Sequence, residues 1–394
     1  DHDTRVISAA DYVVEMGEGA GKEGGSVIAA GTVREVERSP RSIIGGYLSG
    51  EKDVLVRDRA PKSETFALGT IEMRTEQVHT VKPLDVKIPK GRLTVVTGVS
   101  GSGKTTMVLE SLVPALRAKI NGEELPRHVA EIRADGIRRV NLIDATPIGI
   151  NVRSTVATYS GISDDLRRLY AAAPKAKELG LRVNDFSYNT GSLRCPTCDG
   201  TGVISMDIQF LPDVEITCPD CGGKRFSPRA DEVKIELGGK PYSIADVMSA
   251  TASEAAELFR DNKRIREKAE TLVRLGLGYL TIGESTPSLS GGEAQRLKLA
   301  TEIGKTQDDA VFVFDEPTIG LHPRDVSVLL GVFDCLIKSG ATVVVIEHDL
   351  DLIRNADYII DMGPKGGEAG GRIVATGAPD EISASKESVT GKYL

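Results

Sequence analysis

The sequence contains no uninterrupted apolar stretch near the ~18 residues that a membrane-spanning helix needs. It has no basic excess: 49 Lys and Arg stand against 57 Asp and Glu, a formal net charge of −8. No basic-then-apolar leader precedes Asp1. The first absence argues against a membrane protein, and the third points with it to a soluble cytoplasmic chain. The second argues against a purely electrostatic nucleic-acid binder, although a local basic surface would still suffice. Asn262–Arg274 offers such a surface, with five basic residues and two acids, but it reads equally as a solvated helix face with i,i+4 pairs. Cysteine is also scarce, five in 394 residues, and four of the five fall into one pattern. The fifth, Cys335, sits in the apolar-periodic stretch VLLGVFDCLI and is expected to be buried. Composition, 40% apolar and 27% charged, is that of a globular chain long enough for two or three domains.

One feature is present twice. Asp1–Leu48 and Glu347–Leu394 align without a gap, and 19 of the 48 positions are identical, among them His2/His348, Asp3/Asp349 and Tyr12/Tyr358. This is a long-period internal repeat, whose first copy is expected to be the end of a preceding, similar domain.

Gly98-Val-Ser-Gly-Ser-Gly-Lys-Thr105 fits the phosphate-loop pattern, with the apolar run RLTVVT before it and the helical pattern TMVLESLVPAL after it. Gly98, Ser100, Gly101, Ser102, Gly103, Lys104, Thr105 and Thr106 are the candidate nucleotide-binding residues. Backbone N–H groups of such a loop surround phosphate oxygens at a helix N-terminus. Lys104 is expected to reach the β/γ-phosphates and Thr105 to ligate Mg²⁺. Downstream, VFVF is a buried strand that ends in Asp315, suited to Mg²⁺, and Glu316, suited to polarise water. A second buried strand, ATVVVI, delivers Glu347 and His348, the histidine placed to sense a γ-phosphate. Strand tips that converge in this way form the nucleotide edge of an α/β sheet. Between them, LSGGEAQR opens a helix with Ser290 as N-cap and Glu293 as its capping-box partner. Gly291 and Gly292 suit the close approach of a second phosphate.

In this order the loop, LSGGEAQR, the Asp-Glu strand and the strand-tip histidine resemble an ABC-type ATPase. The resemblance implies two cassettes paired head to tail, each ATP held between one phosphate loop and the other cassette's LSGGE helix. Ser290, Gly291 and Gly292 would then serve the ATP of a first cassette, and neither composite site would be complete within this chain. Weak ATPase activity is expected of the chain alone.

Lys104 and Asp315 are 211 positions apart, and the gap holds CPTC (Cys195, Cys198) and CPDC (Cys218, Cys221) with 19 residues between the pairs. Two C-x₂-C pairs at this spacing form a four-thiolate zinc signature, here structural. The segment between them predicts a β-hairpin with Met206, Ile208 and Phe210 on one face. The module is not basic: Arg194, Lys224 and Arg225 stand against Asp199, Asp207, Asp213, Glu215 and Asp220.

FSYNTGSLRCPTCDGTG, IQFLPDVEITCPDCGGKRF, TPSLSGGEAQRLKLATEI, DEPTIGLHP and the EHD…ADYIIDMGP ending together resemble the UvrA family of bacterial nucleotide excision repair, over residues 70–394 and the leading 50. The resemblance implies a DNA-binding tandem ATPase that dimerises, recognises damaged duplex and loads a helicase-like partner, UvrB. It also implies ATP, Mg²⁺ and Zn²⁺ as cofactors. Departures are Ala145, which stands at the family's Q-loop glutamine, INVRST in place of a more basic run, TPS before Leu289, and Ile319. They point to a divergent member and put its hydrolysis rate in question. Two other readings stay open: a soluble ABC ATPase acting on the ribosome or in drug resistance, which would not need the cysteine module, and a nucleotide-gated scaffold with vestigial hydrolysis.

The expected fold is α/β, an ABC-type ATPase core with an inserted, mainly helical signature region and a zinc module. Residues 1–50 are the tail of a first cassette and 51–70 a linker. Residues 71–116 and 283–394 form the core, and 117–282 form the insert, with the zinc module at 186–230. Apolar periodicity predicts helices over Ser243–Phe259 and in AETLVRLGLGYL.

Overall fold

The computed structural model describes residues 1–17, 24–144, 146, 148, 152–206, 214–303 and 305–394. The chain divides into two compact units: Asp1–Met16, Val27–Ala145 and Glu302–Leu394 form the first, Gly17–Ser26 and Thr146–Thr301 the second.

The first unit is built on a six-stranded sheet in the order Arg372–Gly377, Tyr358–Gly363, Leu93–Gly98, Thr342–Ile346, Ala310–Asp315, Arg139–Ile143. Five strands run parallel, and Arg372–Gly377 pairs antiparallel at one edge. Every residue of Leu93–Gly98 and of Thr342–Ile346 is buried. That is why these strands read as continuous apolar runs without alternation: both faces are covered. A three-stranded antiparallel sheet, Leu84–Pro89, Thr70–Thr75 and Val129–Arg133, lies in the same unit, and its alternating strands share one core with the parallel sheet. Strands of the first unit therefore continue to Ile143, past the expected boundary at 116. Val129–Arg133 and Arg139–Ile143 are too short and too mixed in polarity to announce themselves as strands.

The stretch 51–70 is largely irregular, as its composition predicts, but it is fastened to the core. Arg57 is buried, with Asp334 at 3.1 Å and Asp357 at 3.4 Å. Its backbone N–H donates to Asn355 Oδ1 at 2.6 Å.

The sequence repeat is also a repeat of structure. Helices Thr4–Ser8 and Leu350–Arg354 occupy matching positions, as do strands Ser26–Gly31 and Arg372–Gly377. Side-chain bonds repeat as well. Ser42 Oγ donates to Glu15 at 2.5 Å, and Ser388 Oγ donates to Asp361 at 2.5 Å. Burial differs. Ile360 and Met362 are 1% exposed, beside the parallel strand Leu93–Gly98, whereas their counterparts Val14 and Met16 are 55% and 58% exposed.

Cys335 is exposed on the helix Pro323–Lys338, contrary to the sequence expectation. The buried stripe runs through Val326, Leu329, Leu330, Phe333 and Leu336 and leaves residue 335 outside it.

In the second unit, the predicted helix over Ser243–Phe259 is two helices, Ile244–Met248 and Ala252–Leu258. Ser243 and Thr251 each cap a helix, with Asp246 and Glu254 closing the capping boxes, so the second cap ends the first helix. Lys263–Arg274 is a helix whose charges are partly paired: Lys263–Glu267, Arg266–Glu270 and Lys268–Asp165. No helix among the described residues is long and apolar enough to cross a membrane.

Candidate nucleotide site and metal centre

The phosphate loop follows the central strand Leu93–Gly98. Gly98 has φ +130°, and a Cβ there would lie 1.9 Å from Met362 O, so only glycine fits. The helix that leaves the loop makes wide i→i+5 turns over Thr106–Leu112, and Pro114, which has no N–H to give, follows. The Lys104 ammonium is buried over the loop and donates to Gly98 O at 3.0 Å and Val99 O at 3.1 Å. Burial lowers its pKa, and the charges of Glu316 and Asp361 oppose that shift. Ser102 Oγ is buried without a hydrogen-bond partner among the described residues. Ser100, Gly101 and Thr105 are exposed on the loop, and Thr106 Oγ1 donates to Glu110 at 3.3 Å.

Two strand ends meet this loop. Asp315 closes its strand, and its pKa is raised first by burial and then by Glu316, Asp144 and Glu347. Glu316 has φ +44°, a left-handed conformation uncommon outside glycine, and its N–H donates to Ile346 O at 3.0 Å. Its Oε1 lies 3.5 Å from His348 Nε2. Burial, then Lys104, lower the His348 pKa, which favours the neutral ring. Crowded carboxylates beside a buried lysine and an orphaned hydroxyl suit a phosphate chain with its divalent cation. Lys104, Asp315, Glu316 and His348 are thus brought together.

Both repeat copies use the same aspartate as a helix cap, with opposite titration. Asp3 is partly exposed, and its pKa is lowered chiefly by its side-chain bond to Arg5. Asp349, whose Oδ1 accepts from Leu352 N–H at 2.8 Å, is raised to about 6, chiefly by burial. Its native form thus keeps a proton that the unfolded chain releases near pH 4, and stability falls as pH rises from about 4 to 6. Asp349→Asn keeps the cap without the charge. Urea unfolding is expected to show it more stable by about 1–2 kcal/mol at pH 8 and unchanged at pH 4.

In the second unit the signature helix is Gly291–Lys298. Glu293 N–H donates to Ser290 Oγ at 3.3 Å, and Ser290 N–H donates to Glu293 Oε2 at 2.7 Å, completing the predicted capping box. Ser290 and Gly291 are exposed, which leaves the helix N-terminus open. Ala145 lies outside the described residues, as do Ile208 and Phe210.

The four cysteines of the second unit are buried, and their sulfurs all lie within 4.8 Å of one another. Cys195 and Cys218 are 3.9 Å apart, Cys198 and Cys221 3.7 Å. A disulfide requires about 2.05 Å. A tetrahedron of thiolates about 2.3 Å from zinc has edges near 3.8 Å, which these distances match. Burial pushes the Cys221 thiol up to about 12, a penalty that a central divalent cation reverses. Gly200, φ +79°, would place a Cβ 1.7 Å from Tyr188 O, so the knuckle turn requires glycine. Strands Val203–Met206 and Val214–Thr217 pair antiparallel as the predicted hairpin. Arg225, counted in the sequence among the module's charges, is buried. It donates to Val152 O and Gly200 O and covers the Tyr188 ring. Arg194 pairs with Asp199, and Lys224 with Asp246.

No family model matches the chain. The UvrABC system protein A of Staphylococcus aureus (strain COL) is 44% identical over 399 positions, covering 100% of this chain and 41% of that protein. The protein of the same name from Lactiplantibacillus plantarum is 44% identical over 400 positions, with the same coverage. The crystal structure of UvrA2 from Deinococcus radiodurans superposes with a TM-score of 0.89 at 39% identity, over 100% of this chain and 47% of that one. The chain spans about two fifths of the length of the curated relatives it matches. Similar to these proteins along its whole length, in sequence and in fold, the chain belongs to the UvrA family.

Proposed function

We propose that the chain is the ATP-binding part of a protein that recognises damaged duplex DNA for excision repair and hydrolyses ATP in doing so. The observation that carries this reading is the 44% identity along the entire chain to proteins named UvrABC system protein A. MgATP is held by Gly98–Thr106, with Lys104 on the β/γ-phosphates and Thr105 and Asp315 on the Mg²⁺ side. Glu316 is the general base, and His348 senses the γ-phosphate. Cys195, Cys198, Cys218 and Cys221 hold a structural Zn²⁺.

The chain works with a first cassette, whose ATP is contacted by Ser290, Gly291 and Gly292. The exposure of Val14 and Met16, where the second copy is covered by a parallel strand, supports a strand of that cassette pairing beside Val13–Gly17. The assembled protein acts in the cytoplasm as a homodimer and hands DNA to a UvrB-like helicase. Fluorescence anisotropy on damaged and undamaged duplexes, with MgATP at one near-physiological salt concentration, tests the reading. Tighter binding to damaged duplex, lost when Cys218 and Cys221 are replaced, is expected. Equal affinity for both duplexes overturns it.

A further inference from the structure

Glu347 stands at a strand tip, 2% exposed, and is not among the residues assigned to the nucleotide. Its two carboxylate oxygens serve different segments. Oε1 accepts from Thr318 N–H at 2.9 Å and from Thr318 Oγ1 at 2.5 Å. Oε2 accepts from His348 N–H at 2.6 Å and from Asp349 N–H at 3.0 Å. A buried carboxylate is costly unless hydrogen-bonded, and here four donors meet it.

The repeat separates the two tasks. In the first copy, Asp1 Oδ1 accepts from His2 N–H at 2.7 Å and from Asp3 N–H at 2.9 Å, reproducing the Oε2 half of the arrangement. Shaping the tip therefore takes one carboxylate oxygen. The second oxygen of Glu347 reaches a loop 29 residues away in sequence.

We propose that Glu347 is a positioning residue that locks the loop carrying Glu316 to the tip carrying His348, so that the base and the γ-phosphate sensor keep one geometry. The proposal rests on the nucleotide-site reading above. Glu316 is held in a left-handed backbone conformation that costs about 1–2 kcal/mol when unsupported. Two attachments bracket it: its own N–H on Ile346 O, and Thr318, two residues on, on Glu347. Releasing Thr318 lets Glu316 relax and carries its carboxylate away from His348. None of these bonds involves Gly98–Thr106, so nucleotide affinity is spared.

The test is single-turnover hydrolysis and MgATP affinity in the assembled two-cassette protein with the first cassette's site disabled. Glu347→Gln places an NH₂ against one set of donors, and Thr318→Val removes the hydroxyl. Each is expected to lower the rate about tenfold with affinity changed less than about threefold, and the double variant to be no slower than the slower single one. Thr318→Ser restores the rate. A merely structural role would lower thermal stability without this split and without serine rescue. Glu316→Gln is the control. If it abolishes hydrolysis while Thr318→Val runs at the wild-type rate, or the two substitutions multiply, the inference fails alone. If Glu316→Gln hydrolyses normally, the reading of the site fails.

Discussion

Glu316→Gln is expected to lower ATP hydrolysis by about 10²–10⁴-fold in the cassette pair, the range typical of removing a positioned general base. Glutamine fills the same volume and keeps an acceptor oxygen, so the backbone at φ +44° and the bond from Glu316 N–H to Ile346 O persist. What is lost is the charge that, in the proposed role, takes the proton of water. His348 cannot replace it as an equal. Burial favours its neutral ring, but it sits beside Lys104, whose charge opposes protonation further. MgATP affinity should be unchanged or tighter, because one negative charge leaves the neighbourhood of Asp315 and the phosphates. Equilibrium binding of MgATP alongside the hydrolysis rate checks both halves. A variant that hydrolyses within a fewfold of the parent would remove Glu316 from the catalytic role.

The second large effect concerns the four cysteines. Structural zinc supplies about 10–16 kcal/mol of folding free energy in small metal modules. The cluster formed by the cysteines is the thiols themselves with Ile204 packed against them; Phe186, Tyr188, Leu193 and Phe226 are buried in the same module but do not join it, so the thiol end is expected to depend on the metal. If the four thiolates hold the proposed zinc, the parent binds one per chain, and Cys198→Ser, or strong chelation, is expected to abolish that binding and open residues 186–230 to protease. The first unit, with its own sheet and core, should keep its protection. Metal analysis and limited proteolysis of the same sample report this. A Cys198→Ser chain as protease-resistant as the parent would mean that the sulfurs cluster without a structural metal.

Local patterns announced much of the site. The loop glycines, the Ser290–Glu293 capping box and the paired C-x₂-C motifs are set by residues within a few positions of one another, and spacing alone places their chemistry. Gap-free identity made the repeat legible, and its side-chain bonds recur in the fold. Contacts between distant segments stayed hidden. Arg57 reads as one charge in a polar linker until Asp334, 277 residues on, is seen beside it. Glu347 reads as a neighbour of His348 until Thr318 is found on its second oxygen. Cys335 reads as core because hydropathy gives the period of a pattern but not its phase. The extent of the core was missed because Val129–Arg133 and Arg139–Ile143 take their stability from neighbouring strands rather than from their own propensity.

We propose that the chain holds a complete phosphate loop but completes an ATP site only together with another cassette. ATP turnover per chain, measured across a dilution series with the Lys104→Ala chain in parallel, tests it most directly. Lys104-dependent MgATP binding is expected at every concentration, with turnover that vanishes as the chain is diluted to a monomer. Turnover that depends on Lys104 and stays constant per chain on dilution would contradict it.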